Sequence, residues 1–222
     1  MAEGRTYGEA CGIPRALDRV GERWALLVVR ELLLGPKRFT DLKQGLSHAS
    51  PNVLAQRLRE LERAGVVRKR RLPPPAASQV YELTDWGREL EAVLVALGRW
   101  GARAPLDPEC MGMSVDSHIV SLATLFDPAR AGDAEASLEL RMGEDVFHAV
   151  VGGGAIDAGR GAPPSPDAVL ELEPRMLLAL VHGEITVEEA LESGDLAIDG
   201  DREAVRRFVG LFPLPEPAAV PA

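Results

Sequence analysis

Residues 50–71 read SPNVLAQRLRELERAGVVRKRR, and they give the clearest indication of the fold of the first half of the chain. Ser50 is suited to cap a helix, Pro51 to occupy its first position, and Gly65 to stand just past its end. Leucines at positions 54, 58 and 61 share one helical face and predict a buried stripe. The stretch therefore predicts a helix of about 13 residues, followed by a strongly basic strand.

The elements around this helix follow a specific order. The apolar spacing predicts two earlier helices, and Thr40 is a fair N-cap for a third, short one. After the basic stretch we expect a hairpin and then a long helix. The predicted ranges are 15–20, 22–34 and 40–44 for the early helices, 66–72 and 79–83 for the hairpin, and a helix from Asp85. This order is typical of a winged helix-turn-helix domain, in which the second helix of the motif enters the major groove of DNA.

Exposed polar side chains of such a helix are candidates for reading DNA. Asn and Gln can pair with adenine and Arg with guanine, while a basic wing meets phosphates or the minor groove. We expect Asn52, Gln56 and Arg57 to read bases, and Arg38, Arg59 and the wing to bind phosphates. The full predicted set is Arg38, Thr40, Ser50, Asn52, Gln56, Arg57, Arg59, Arg68, Lys69, Arg70 and Arg71. A solvated edge strand, on which charge discourages aggregation, is the alternative for the basic stretch.

Residues 7–103 resemble the HxlR family of winged-helix regulators of bacteria and archaea. The resemblance runs in order through the segments 11–17, 21–24, 30–32, 35–39, 50–54, 57–61, 65–67 and 81–84. It implies a homodimer formed through the terminal helices, and a recognition helix that begins at the Ser50-Pro51 step. In some relatives a cysteine near the start senses oxidants, which makes Cys11 a candidate redox sensor. A simply packed cysteine is the alternative, and Pro14 lies two residues further from Cys11 than in the usual Cys-Pro pair.

The charge of the 222-residue chain is divided unevenly between its halves. Residues 1–105 hold 18 Lys and Arg against 12 Asp and Glu, a balance of +6, whereas residues 106–222 hold 7 against 22, a balance of −15. A basic half can approach phosphates and an acidic half is repelled by them. Two prolines, Pro105 and Pro108, mark a break between them. We therefore expect a DNA-binding and dimerisation domain at 1–105, a second domain at 106–213 and a flexible Pro-rich tail at 214–222.

The second half mixes helical and alternating patterns. Helices are expected at 114–126 and 176–181, after the capping box Thr186–Glu189 and after Asp201, and strands at 137–142, 146–151, 168–172 and 196–198. The glycine-rich stretch up to Gly161 is expected to be an irregular connection. The fold class is therefore a mainly α winged helix-turn-helix domain followed by an α+β domain with a mostly antiparallel sheet covered on one face by helices.

Residues 134–212 resemble the sterol-carrier-protein type 2 domain. The segments that carry this resemblance are 166–170, 177–180, 183–190, 194–201 and 208–212. The resemblance implies a hydrophobic tunnel for acyl or sterol-like ligands, and so a hydrophobic small-molecule effector. A stripe of Leu and Phe is also what any protein core requires, so a domain filled by its own side chains is the alternative.

Several classes of function are excluded or disfavoured. No stretch is long and apolar enough to span a membrane, and two cysteines cannot make a disulfide framework, so we expect a cytoplasmic protein without membrane contact. The four histidines, His48, His118, His148 and His182, lack metal-ligand spacing, and no nucleophile elbow or phosphate loop occurs. We therefore expect no metal, no cofactor and no enzymatic activity.

The most consistent function is that of a homodimeric transcriptional regulator. It would bind double-stranded DNA at a pseudo-palindromic operator, and its C-terminal domain would bind an effector or act as a scaffold. The alternative is a lipid-binding or hydrophobic small-molecule-binding protein whose winged helix mediates protein association. A steep loss of DNA affinity with rising salt would distinguish the first function from the second.

Overall fold

A computed structural model describes residues 6–105 and 112–219. The chain divides into two compact units, Met1–Leu94 and Val95–Ala222, and the division falls within one helix. The elements before residue 102 are α1 (Gly12–Val20), α2 (Ala25–Leu33), α3 (Phe39–Gly45), α4 (Pro51–Arg63), β1 (Val67–Arg71), β2 (Gln79–Leu83), α5 (Asp85–Arg88) and α6 (Leu90–Gly101). The predicted domain limits stay predictions, and Pro108 and Cys110 lie outside the described residues.

The helix predicted from residues 50–63 is α4, which confirms that prediction. The Ser50 hydroxyl accepts a hydrogen bond from the Val53 N–H at 3.3 Å, and Pro51 opens the helix. Gly65 follows the helix in the left-handed region, at φ 75°, where a residue without a side chain is favoured. The three leucines of the predicted stripe are fully buried and join a core to which α2, α3 and the two hairpin strands also contribute.

The predicted starts of three helices in this unit were wrong, and the first of them, α1, begins at Gly12 rather than at residue 15. Helix α2 begins at Ala25 rather than at residue 22, because Trp24 adopts a left-handed conformation at φ 77° that a helix cannot continue through. Helix α3 begins at Phe39, so Thr40 lies inside it and is not its cap. Instead, Arg38 is the residue that precedes the helix, and its backbone N–H donates to the Asp41 carboxylate at 2.9 Å.

The helix predicted to run unbroken from Asp85 is divided into α5 and α6. Thr84 caps α5 by accepting from the Gly87 N–H at 3.0 Å. Gly87 is buried against the backbone of Val66, where an added Cβ would lie 2.1 Å from the carbonyl oxygen. This short turn therefore lies tightly against the residues that open the hairpin, and a separate helix, α6, starts at Leu90.

The second unit contains a five-stranded mixed sheet in the order β5-β4-β3-β6-β7. Its elements are α7 (Val115–Leu125), α8 (Pro128–Ala131), β3 (Ala136–Met142), β4 (Asp145–Gly152), β5 (Ala155–Arg160), β6 (Ala168–Leu172), α9 (Pro174–Val181), α10 (Val187–Ser193), β7 (Leu196–Gly200) and α11 (Arg202–Val209). The β3–β6 pair is parallel and the three other adjacent pairs are antiparallel. Leu138, Leu140 and Phe147 are fully buried, and α7, α10 and α11 contact the sheet.

Strand β5 was not predicted. It pairs with β4 over its whole length, after a turn through Gly153 and Gly154, which have φ of 58° and 73°. Its sequence, AIDAGR, is poor in the β-branched and aromatic residues that mark strands, which is why it was expected to be an irregular connection. Long-range contacts fix it instead, because Arg160 forms ion pairs with Asp145 at 2.6 Å and with the buried Asp116 of α7.

Candidate nucleic-acid interface

Helix α4 presents a polar face whose side chains are linked to one another. Asn52 and Arg59 are exposed and Gln56 is half-buried. The Gln56 amide donates from Nε2 to Oε1 of Glu60 at 2.6 Å and accepts from Nη2 of Arg59, also at 2.6 Å. These two bonds fix which end of the amide is the donor, and they hold the Gln56 side chain against its own helix.

Arg57 lies in a different environment from its neighbours on α4. Its side chain is only 14% exposed and forms ion pairs with Glu60 on the same helix and with Glu22, at 3.5 Å, in the segment between α1 and α2. A base contact by Arg57 would therefore require the guanidinium to exchange these carboxylates for DNA. The role of Arg57 in base reading stays a prediction.

The hairpin of β1 and β2, which we call the wing, divides its basic residues between two faces. Arg68 lies directly opposite Glu82 in the strand register, and its Nε donates to Glu82 Oε1 at 2.7 Å. The Nε of Arg70 donates to the second oxygen of the same carboxylate at 2.8 Å. Burial raises the pKa of Glu82, but the hydrogen bonds and attraction from these arginines outweigh burial and lower the pKa below its ordinary value. Glu82 is therefore a charged, almost fully buried acid within a basic hairpin.

The remaining wing residues make different contacts. Lys69 lies 5.5 Å from the centre of the Tyr81 ring and 3.3 Å from the Glu62 carboxylate, and the Arg71 Nε donates to the Ala77 carbonyl at 3.4 Å. Sequence reasoning did not single out Glu82. The signal that could have identified it is its place in the predicted hairpin, where an acid on one strand lies opposite basic residues on the other.

The wing is joined to the helix-turn-helix by backbone and side-chain hydrogen bonds. Lys37 and Tyr81 exchange two backbone bonds, at 3.0 and 2.8 Å. The Arg38 guanidinium donates from Nε to the Ser78 hydroxyl at 3.1 Å, near the tip. Thr40 is exposed on α3, and Ser50 is exposed at the start of α4 while its hydroxyl caps the helix. The structure thus places the predicted DNA-contacting residues on α3, α4, the wing and the segment before α3.

Cys11 stands outside this group. It is exposed at the residue before α1, and its carbonyl accepts from the Arg15 N–H at 3.4 Å. Its role as a redox sensor stays a prediction.

Two helices carry apolar side chains at the surface. In α1, Ile13 is 72% exposed and Leu17 43%. In α6, none of the twelve described residues is buried although the sequence is LEAVLVALGRWG, and Val93, Leu97 and Trp100 are exposed. Exposed stripes of this kind are usually covered by another protein surface.

Comparison with known proteins assigns the first part of the chain. Residues 19–107 match the model of the HxlR-like helix-turn-helix family. The uncharacterized HTH-type transcriptional regulator YvaP of Bacillus subtilis is 37% identical over 94 residues, which are 42% of this chain and 86% of YvaP. The chain belongs to the HxlR-like helix-turn-helix family. Among solved structures, the reduced form of the transcriptional regulator YodB from B. subtilis is 32% identical. The match covers 43% of this chain and 94% of that one, with a TM-score of 0.39.

The C-terminal part of the chain matches a different family from the one that the sequence predicted. Residues 109–218 match the alkyl sulfatase C-terminal family, and the likeness to the sterol-carrier-protein type 2 domain is not confirmed. The sec-alkylsulfatase Pisa1 from Pseudomonas sp. is 18% identical with a TM-score of 0.43; the match covers 46% of this chain but only 16% of the sulfatase. This HxlR-like protein therefore joins a helix-turn-helix domain to a segment that matches the alkyl sulfatase C-terminal family.

Residues 6–105 and 112–219 hold no cluster of His, Cys, Asp and Glu able to bind a metal ion. None of the helices in that part of the chain is long and apolar enough to cross a membrane.

A cleft of about 440 Å³ lies in the second unit, where the ends of α9 and α11 meet the start of α10. Its walls combine apolar, basic and acidic side chains, among them Arg130, Leu180, Val181, His182, Glu188, Arg206, Val209, Phe212 and Leu214. Nε2 of His182 is buried there without a hydrogen-bond partner among the described residues. The cleft is therefore a candidate site for a small molecule with apolar and polar parts.

Proposed function

We propose that this chain is a homodimeric, DNA-binding transcriptional regulator that acts in the cytoplasm and responds to a hydrophobic small molecule. The observation that carries the proposal is the exposed polar face of α4 beside a basic wing, within an HxlR-like domain. A helix of 13 residues fits the major groove, where amide and guanidinium groups distinguish base pairs.

The proposed contacts take account of the exposure and the partners of each side chain. Asn52 would read bases from an exposed position, whereas Gln56 and Arg57 would do so only after leaving their partners on the protein. Arg38, Arg59 and the wing would bind phosphates, with Thr40 and Ser50 close to the backbone at the helix starts. Two copies would place two recognition helices about 34 Å apart on a pseudo-palindromic operator.

Gln56→Ala is expected to reduce sequence preference without reducing general DNA affinity. A good base pairing contributes about 1–3 kcal/mol of discrimination, while binding to random DNA depends mainly on phosphates. An operator is first selected from a random duplex library with the purified chain. The dissociation constants for that operator and for a scrambled duplex are then compared by fluorescence anisotropy.

The matched control is Gln44→Ala, which removes an exposed amide from α3. We expect the ratio of specific to random affinity to fall only in Gln56→Ala. Equal weakening on both duplexes would show that Gln56 does not read bases. Binding that does not decline steeply between 50 and about 200 mM salt would contradict the DNA-binding proposal itself.

The effector part of the proposal rests on the cleft of the second unit. The apolar part of its walls supports an acyl or similar ligand, as does the proposed likeness of residues 134–212 to the sterol-carrier-protein type 2 domain. The C-terminal half has a balance of −15, so phosphate repels it. A ligand would then change DNA affinity only by favouring one dimer geometry over another.

Addition of a fitting fatty acid or hydrophobic aromatic compound is expected to stabilise the full chain. At 100 times its dissociation constant a ligand adds about 2.7 kcal/mol to stability. Thermal unfolding of the full chain with a panel of such compounds measures this, and operator affinity is then measured with each compound that binds.

Leu214→Glu, at the exposed rim of the cleft, should abolish the stabilisation, whereas Met113→Glu, an exposed position that does not line the cleft, should retain it. No stabilisation by any compound would favour a filled, scaffolding domain. Stabilisation without any salt-dependent DNA binding would favour the alternative, a hydrophobic-ligand-binding protein whose winged helix mediates protein association.

A further inference from the structure

We infer that Glu82 is a positioning residue for DNA binding: its carboxylate holds Arg68 and Arg70 side by side so that their guanidinium groups face DNA together. The inference rests on the proposed contact between the wing and phosphates. The geometry behind it is a single acid shared by two arginines, with each Nε bound to a different carboxylate oxygen, at 2.7 and 2.8 Å.

The contrast in burial supports this assignment. The Glu82 side chain is 7% exposed, whereas those of Arg68 and Arg70 are 57% and 46% exposed. The acid therefore lies beneath the pair and the arginines extend past it into solvent. Both arginines donate to it through Nε, and within residues 6–105 and 112–219 neither has another ion pair.

The spacing of the pair also suits a phosphate backbone. Arg68 and Arg70 are two residues apart on β1, so they share a face and their backbones are separated by about 6.8 Å. A guanidinium whose Nε is already fixed keeps its remaining N–H donors for a phosphate, and it loses less freedom on binding. One buried acid thus orders two donors before DNA arrives.

A positioning role and a purely electrostatic role predict opposite changes in DNA affinity when Glu82 is neutralised. If only charge mattered, an acid in a DNA-binding wing would repel phosphates, and its neutralisation would raise affinity. If Glu82 positions the arginines, its neutralisation lowers affinity although the wing becomes more positive. Burial raises the pKa of Glu82, but the hydrogen bonds from the two arginines lower it by more. The pKa is therefore below its ordinary value, and the carboxylate is charged at neutral pH.

The experiment compares Glu82→Gln with Glu62→Gln in the full chain. Glu62 is a half-exposed acid 3.3 Å from Lys69, so its substitution makes the same charge change without touching Arg68 or Arg70. Affinity for a random-sequence duplex of about 30 base pairs is measured by anisotropy across a salt series. We expect Glu82→Gln to bind about tenfold more weakly, and Glu62→Gln to bind equally or more tightly.

A variant lacking both arginines, Arg68→Ala with Arg70→Ala, identifies the cause. It should lower the slope of log affinity against log salt by about 1.8, at about 0.9 for each lost phosphate contact. Adding Glu82→Gln to that variant should cause no further loss. A loss that persists there, or tighter binding by Glu82→Gln alone, would overturn the positioning role.

Two further measurements cover the case in which Glu82→Gln fails to fold, as judged by circular dichroism. Replacing both arginines by lysine keeps the charge and removes Nε, so the same tenfold loss is expected, and unchanged affinity would overturn the inference. If the variant lacking both arginines binds the duplex as tightly as the natural chain, Arg68 and Arg70 do not contact DNA. The contacts that the proposed function assigns to these two arginines then fail together with this inference, whereas tighter binding by Glu82→Gln alone would overturn only the inference.

Discussion

Leu97→Glu in α6 is expected to convert the proposed dimer to a monomer and to weaken operator binding by at least about 100-fold. Leu97 shares a face of α6 with Val93 and Trp100, at spacings of four and three residues, and all three are exposed in the single chain. Burial of one Leu or Val side chain contributes about 1.5–3 kcal/mol. In a two-fold dimer each substitution occurs twice, and a buried carboxylate adds a further cost.

The loss of DNA affinity follows from the loss of the second recognition helix. A monomer can occupy only one half-site, so it forfeits the contribution of the other. Sedimentation velocity gives the mass in solution, and anisotropy gives operator affinity. Ala92→Glu, which adds the same charge at an exposed position off the stripe, should leave both unchanged. A dimer of unaltered stability in Leu97→Glu would mean that α6 does not form the interface.

The recognition helix was predictable because several local signals agree on it. Ser50, Pro51 and Gly65 each fit one special position, and the leucine spacing fixes the buried face. When capping, helix termination and periodicity indicate the same helix, the local sequence is enough to predict it without knowledge of tertiary contacts. The same holds for Thr186 and Asp201, which cap α10 and α11 as predicted.

The electrostatic arrangement of the interface was not predictable in the same way. The sequence shows four consecutive basic residues, but it does not show that Arg68 and Arg70 share the carboxylate of Glu82. It likewise places Arg57 on α4 without revealing its contact with Glu22, 35 positions earlier. Such contacts depend on the packing of distant segments, whereas a helical pattern reports only neighbours.

The left-handed Trp24 and strand β5 were missed for a related reason. The tryptophan at position 24 does not signal a positive φ, since only Gly, Asn and Asp adopt such a conformation readily. The β5 sequence lacks strand-forming side chains and is held by its pairing with β4 and by Arg160. In both cases the surrounding fold imposes a conformation that the local sequence does not favour.

Gly87→Ala is expected to destabilise the first unit by about 3 kcal/mol or more. An added Cβ would lie 2.1 Å from the Val66 carbonyl oxygen, far inside van der Waals contact. That oxygen also accepts the Thr84 N–H at 3.0 Å, so the backbone cannot retreat without losing a hydrogen bond. For a domain of this size we expect the unfolding midpoint to fall by about 12 °C or more.

Gly12→Ala provides the matched control, because Gly12 lies in α1 and an added Cβ there would meet nothing within 4 Å. It should leave stability unchanged or raise it by up to about 1 kcal/mol. Hydrogen exchange of β1 and β2 in the full chain assigns the loss to the wing base, where α5 lies against Val66. Faster exchange there, with weaker binding to every duplex, would show that this close contact holds the wing in place beside α4. An unfolding midpoint equal to that of the natural chain would mean that α5 and the wing base can separate at no cost.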